Sequence, residues 1–223
     1  MKVVLIPGMD GTAILFDPLI EQAPAGVEII KLPLIQSFDA GYQEQARDVI
    51  SRIGEEPVVL VAESYSGMVA YQMLRMECKN IQHVVFAASF ISRPSWMAAI
   101  ARFTPVAILK SRSIPKSLVG NVLFGRFSSD SLIECFYRSL LSVENKVISH
   151  RLRQIATLEE PTIPIKVPCT YIRPRGDRLV SKRSIEPFKK LCDKLSIREV
   201  EGTHFVLQTN PQACWQIIQR TIE

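Results

Sequence analysis

The chain has 223 residues, 47% of them apolar and 22% charged, which is enough to bury a core in one ordinary domain or one domain with an insertion and excludes a disordered chain. No uncharged apolar run approaches the roughly 18 residues of a membrane-spanning helix, and MKVVLIPGMDG turns too soon for a secretory leader. The net charge of +5 comes with no nucleic-acid motif, and five scattered cysteines with no C-x-x-C pair indicate neither a disulfide framework nor a zinc site.

Short runs rich in Val and Ile recur along the chain, and six of them read as strands: Lys2 to Ile6, Val27 to Leu32, Val58 to Ala62, His83 to Ala88, Cys169 to Arg173 and Ile197 to Val200. Their continuous apolar character, rather than alternation, predicts strands covered on both faces, as in a parallel sheet. Between them lie helical patterns. Tyr42, Ala46, Val49, Ile50 and Ile53 share one face, as do Val69, Met73 and Met76, a stripe that reads as core. Near the end Asn210 offers an N-cap with Pro211 behind it, and Cys214, Ile217, Ile218 and Ile222 form the apolar face. The alternation predicts a doubly wound α/β fold with a mainly parallel six-stranded sheet.

One stretch departs from this pattern. Residues Ile91 to Lys166 contain no convincing strand, and helical stretches run from Ser129 to Leu141 and from Glu144 to Leu158. About 75 residues is too long for one crossover helix, so the expectation is a helical insertion (91–166) over one end of a core formed by 1–90 and 167–223. This segment holds eleven basic and five acidic residues, a net +6, which leaves −1 for the rest of the chain. From Arg93 to Arg126 there are six cations and no acid, so Arg102, Lys110, Arg112 and Lys116 make a candidate patch for an anionic partner. A solvated, asymmetric surface is the plainer alternative.

The glycines exclude two chemistries. None stands in a G-x-G pair, so the dinucleotide fingerprint is absent. Gly120 and Gly125 have phosphate-loop spacing, but Arg126 and Phe127 follow where Lys and Ser or Thr are needed.

The third strand run leads into Glu63-Ser64-Tyr65-Ser66-Gly67, and a helical pattern starts at once. A strand-to-helix turn this tight needs small flanking residues, here Ala62, Ser66 and Gly67, and it presents the serine at the carboxyl end of the sheet. Taken alone, a small-x-Ser-x-small stretch arises by chance in many proteins. Three other strand ends add to it. The first opens into Pro7-Gly8-Met9-Asp10-Gly11-Thr12, a loop able to turn backbone N–H groups toward the serine; Asp10 itself reads as a turn former with Gly11. The fifth is followed by Asp177 and the sixth by His204. Serine needs an imidazole to take its proton, and the imidazole needs a carboxylate to hold its tautomer. The order is Ser, Asp, His, with gaps of 113 and 27 residues. Of the other histidines, His83 begins a strand at the opposite end and reads as structural, and His150 reads as a surface helix position.

The loop PGMDGT, the turn LVAESYSG, the segment GDRLV and the stretch EGTHFVLQTNP together resemble the α/β-hydrolase superfamily, most of all its small bacterial serine esterases related to the pimeloyl-carrier methyl ester carboxylesterase. The resemblance implies Ser64 as nucleophile, His204 as base and Asp177 as orienting acid, with the backbone amides of Met9 and Tyr65 as oxyanion hole. It implies no metal or organic cofactor. It also implies that the insertion is a cap over an acyl pocket, with Trp96, Met97, Ile100, Phe103, Leu109, Leu123, Phe124 and Phe127 available to line it. There are departures. Pro7 stands where these proteins usually have His, Ala62 and Ser66 replace both elbow glycines, and the first family hairpin is missing.

The expected activity is therefore carboxylic-ester hydrolysis of a small molecule in the cytoplasm. A thioesterase or acyltransferase acting on an anionic acyl carrier seated on the basic cap is the alternative. A non-catalytic small-molecule receptor on the same fold is the alternative from another class.

Overall fold

The computed structural model describes residues 2–95 and 106–222. Six strands form one sheet: β1 (Lys2–Ile6), β2 (Ile29–Lys31), β3 (Val58–Glu63), β4 (Ile81–Ala87), β5 (Cys169–Pro174) and β6 (Leu195–Val200). They lie in the order β2-β1-β3-β4-β5-β6, and every pairing is parallel. The sheet is thus wholly parallel, where the sequence supported only a mainly parallel one.

The apolar runs follow from burial on both faces. Val4, Ile6, Leu60, Ala62, Val84 and Phe86 point into one cluster, while Val3, Leu5, Val59, Val61, Val85 and Ala87 point into the other. The first cluster is closed by α2 (Tyr42–Ile53), α3 (Ser66–Arg75) and α8 (Glu186–Leu191) through Ala46, Val49, Val69, Met73 and Phe188. The second is closed by α1 (Asp17–Glu21), α9 (Val206–Thr209) and α10 (Pro211–Gln219) through Leu19, Leu207, Cys214, Trp215 and Ile218. Each fully buried Val, Leu or Ile contributes about 1.5–3 kcal/mol, so the two clusters supply the dominant favourable term. The α10 cap is as the sequence reads, with the Asn210 side chain accepting from the Ala213 N–H at 3.4 Å and Pro211 at the first position. All five cysteines are free thiols.

Strand ends depart from expectation at the sheet edges. Only Ile29–Lys31 of the expected Val27 to Leu32 is strand: the Leu32 N–H still donates to the Leu5 carbonyl at 2.9 Å, but Pro7 supplies no N–H for the next rung and the Leu34 N–H turns to the Gly11 carbonyl. At the other edge β6 begins at Leu195, two residues early, since its first residues are half-exposed and carry no apolar run to announce them. In the interior β4 also begins two residues early, at Ile81.

Between β4 and β5 the described residues form no strand. They form α4 (Val106–Leu109), α5 (Lys116–Leu123), α6 (Asp130–Leu141) and α7 (Asn145–Ala156). Ser129 caps α6, its hydroxyl accepting from the Leu132 N–H at 3.2 Å, and α7 stops at Ala156, two residues short of the expected end. These helices lie over the carboxyl end of the sheet. The Ser139 hydroxyl meets Thr12 after β1, Phe124 packs on Phe205 after β6, and Arg126 pairs with Glu201.

Among the described residues no helix is long and apolar enough to cross a membrane.

Candidate active site

The strand β3 ends in a bend that the backbone itself enforces. Ser64 sits at φ +50°, a left-handed conformation that costs a non-glycine residue about 1 kcal/mol or more, so its surroundings must hold it there. The Ser64 N–H donates to the Ala87 carbonyl at 3.0 Å, and the Ser64 carbonyl accepts from the Gly67 N–H at 3.0 Å and the Ser89 hydroxyl at 2.7 Å. The small residues are sterically required. A Cβ on Gly67 would lie 2.1 Å from Ser89 Oγ and 2.6 Å from the Phe90 carbonyl oxygen. Ser66, standing where a glycine is usual, is buried and donates its hydroxyl to the Pro7 carbonyl. Two departures from the family pattern thus bond to one another, tying the bend after β3 to the loop after β1.

The loops after β5 and β6 complete the arrangement. They pack so closely that the Gly176 N–H donates to the Gly202 carbonyl at 2.9 Å, and a Cβ on Gly176 would collide with that oxygen. One carboxylate oxygen of Asp177 accepts from the backbone N–H groups of Leu179 and Val180 at 2.8 and 2.9 Å. Its other oxygen lies 2.9 Å from His204 Nδ1, and His204 Nε2 lies 2.9 Å from Ser64 Oγ. The three residues singled out at separate strand ends therefore form one continuous hydrogen-bonded chain. The His204 and Asp177 side chains are 10% and 8% exposed, whereas Ser64 is half-buried and open to a reactant.

Burial alone would depress the pKa of His204. The Asp177 charge and hydrogen bond, with a smaller contribution from Glu63, outweigh it and raise the imidazole above its usual value. Glu63 is fully buried beside the serine, and desolvation pushes its carboxyl up to about 7. The Gln208 side-chain N–H donates to it at 2.9 Å.

Met9 lies at the crest of a turn in which the Gly11 N–H donates to the Gly8 carbonyl at 3.0 Å. Asp10 behaves as the turn former expected, its carboxylate accepting from the Thr12 amide and hydroxyl at 2.8 and 2.6 Å. Tyr65 directly precedes α3, where backbone N–H groups have no helical partner. Met9 and Tyr65 thus sit on the two loops that meet at Ser64.

His83 bonds Thr170 Oγ1 at 2.9 Å and stands opposite Val59 near the start of the neighbouring strand, at the other end of the sheet from Ser64, in keeping with a structural part. His150 is half-buried rather than a free surface residue, and its Nε2 is enclosed without a partner, because α7 packs more of its circumference than its polar residues suggest. Among the basic candidates Arg102 lies outside the described residues. Lys110 donates to the Val143 carbonyl, Arg112 pairs with Glu134 at 2.7 Å, and Lys116 stands at the start of α5 with its charge acting on the same Glu134. Trp96, Met97, Ile100, Phe103 and the Leu109 side chain are likewise outside the described residues. Phe124 is fully buried against Phe136 and Phe205 and glues the insertion to the loop carrying His204. Leu123 borders a small crevice beside His204 together with Val122, Leu179 and Thr203, while Phe127 ends a short turn under the Arg126 guanidinium.

Sequence reasoning passed over Glu63, Arg151 and Gln154. Glu63 is the one charge ending an otherwise apolar strand run. Arg151 falls in step with Val147, Ile148, Leu152 and Ile155 on the buried face of α7, so the helical period carried its signal.

The architecture is shared with solved structures of low identity. An esterase from Exiguobacterium antarcticum superposes with a TM-score of 0.84 at 13% identity, covering 100% of this chain and 92% of that one. An enol-lactonase from Burkholderia xenovorans LB400 gives 0.79 at 11% over 99% and 90%. A thermophilic esterase from Thermogutta terrifontis gives 0.77 at 15% over 100% and 89%. No curated protein matches the sequence. The sequence does match the Alpha/beta hydrolase family over residues 3–217, nearly its whole length, and the chain belongs to that family.

Proposed function

We propose that the protein is a serine hydrolase that cleaves a small carboxylic ester through an acyl-enzyme. The observation that carries this reading is the pair of 2.9 Å contacts linking Ser64, His204 and Asp177. Ser64 Oγ attacks the ester carbonyl as His204 Nε2 takes its proton. The tetrahedral oxyanion is met by the Met9 and Tyr65 amides, and it collapses as His204 returns the proton to the departing alcohol. Water then repeats the sequence on the acyl-serine, releasing the acid and restoring the serine hydroxyl. Asp177, its second oxygen held by two amides, keeps His204 in the tautomer that accepts at Nε2 and stabilises the imidazolium. The esterases and the lactonase of the same architecture are consistent with an ester substrate.

Thioester cleavage or acyl transfer uses the same atoms. An anionic carrier on the insertion is the weaker extension, because Lys110 and Arg112 are engaged within the chain. Labelling with a fluorophosphonate followed by peptide mapping tests the reading without a guess at the substrate. Label on Ser64 that disappears in His204→Ala is the expected result. Absence of label on folded protein would favour a receptor on this fold.

A further inference from the structure

One face of α7 reaches both residues whose amides flank Ser64. Arg151 is 0% exposed, and its Nη1 donates to the carbonyls of Met9 and Asp10 at 2.8 and 2.9 Å. Its Nη2 donates to the Ile35 carbonyl at 2.7 Å, and the guanidinium carbon lies 5.7 Å from the centre of the Tyr65 ring. Gln154 lies three residues on, hence on the same face. It accepts from the Tyr65 hydroxyl at 2.6 Å and donates to the Ala40 carbonyl at 3.3 Å.

A buried cation held by neutral carbonyls is costly, and an apolar side chain of similar volume would fill the space more cheaply. What a guanidinium adds is direction, since its fork draws two successive carbonyls to one nitrogen. In a planar trans peptide the carbonyl and the N–H point opposite ways, so fixing one fixes the other. The Gly8–Met9 peptide, which carries the Met9 N–H, is pinned by the Gly8-to-Gly11 turn, and Arg151 pins the Met9–Asp10 peptide and, through the Asp10 carbonyl, the Asp10–Gly11 peptide whose N–H closes that turn. Both planes flanking Met9 are therefore set.

We propose that Arg151 is a positioning residue for the oxyanion hole: from the helical insertion it holds the Met9 amide toward Ser64, while Gln154 anchors Tyr65, the other donor. The inference rests on the serine-hydrolase reading. It makes the insertion a working part of the site as well as its roof. Arg151 touches no reacting atom in this scheme and acts through the backbone of the loop after β1.

The test compares wild type, Arg151→Met, Arg151→Ala and Arg151→Lys, with an aryl acetate as substrate, a fluorophosphonate as titrant of Ser64 and thermal melting as the fold control. Arg151→Met is expected to lower kcat about 10²-fold, the loss associated with one oxyanion donor, while KM changes little. Added guanidinium ion in the millimolar range should restore part of kcat in Arg151→Ala and none in wild type. Arg151→Lys, which keeps the charge but not the fork, should fall between, and it serves if the shorter variants do not fold. Wild-type kcat in Arg151→Lys or in a folded Arg151→Met overturns the inference. So does a loss that follows the melting temperature and is not relieved by guanidinium. A wild type that takes no label removes the serine-hydrolase reading and this inference with it, whereas a labelled wild type whose Arg151 variants keep kcat removes this inference alone.

Discussion

The loops after β1 and β3 meet at Ser64, yet they are held in different ways. The bend after β3 is fixed close at hand: left-handed Ser64, the crowded Gly67 and the bonds to Ala87 and Ser89 all lie within 25 residues of one another. The loop after β1 has only a short turn and the Asp10–Thr12 bonds of its own, and the others come from residues remote in sequence, among them Gln36, Ser66, Ser139 and Arg151, 26 to 142 residues away. The position of Ser64 can thus be specified by local sterics, while the loop that faces it depends on a distant helix.

The largest effect should separate the hydrogen-bonded chain from the bend beneath it. Asp177→Asn is expected to lower kcat by on the order of 10⁴ with the melting temperature little changed, because the bend keeps its own bonds. A loss below tenfold in aryl-ester turnover would move the acid role elsewhere. Ser64→Ala should abolish turnover and labelling outright and leave the fold intact, which circular dichroism can check.

The next effect is on stability. Gly67→Ala forces a methyl against Ser89 and the Phe90 carbonyl, and a cost of about 1–3 kcal/mol in urea unfolding is expected. A neutral result would show that the bend is softer than its contacts imply.

The carboxyl of Glu63 and the imidazole of His204 both titrate higher in the folded state than in the unfolded chain. Each therefore binds a proton more readily when folded, so the stability they lend is present at low pH and lost as pH rises through the folded pKa. For Glu63 that window runs from 4.5 to about 7. Urea midpoints should fall between pH 5 and pH 8 by the equivalent of roughly 2 kcal/mol.

The smallest effect is kinetic. On the proposed serine-hydrolase reading His204 must be neutral to act, so kcat/KM should rise through an acid limb centred above the usual imidazole value of about 6.5. Glu63→Gln removes one of the charges that raise His204 and should move that limb to lower pH.

Much of this was legible in the chain itself. The six strands announce themselves because residues such as Val59 and Leu60 must both be apolar when the sheet is covered twice. The bend after β3 declares itself through Ala62, Ser66 and Gly67, since no larger set would fit. Asp177 and His204 were found by position alone, each just past a strand end. Less legible was whatever depends on partners remote in sequence. Arg151 is one of eleven basic residues of its segment until its carbonyl partners are seen, and nothing in the sequence marks Glu63 as buried beside Ser64. The start of β6 was missed because an edge strand has little to bury.

The contact between Ser64 and His204 spans 140 residues. Long-range contacts of this kind close late, after many shorter loops have been ordered. On the proposed reading, a nascent chain that has already formed β1, β3 and their helices still lacks its imidazole, and it stays inert until residues beyond 204 have left the ribosome and β6 has docked beside β5. Activity in a translation or refolding experiment would then report the last step of assembly rather than the first appearance of compact structure.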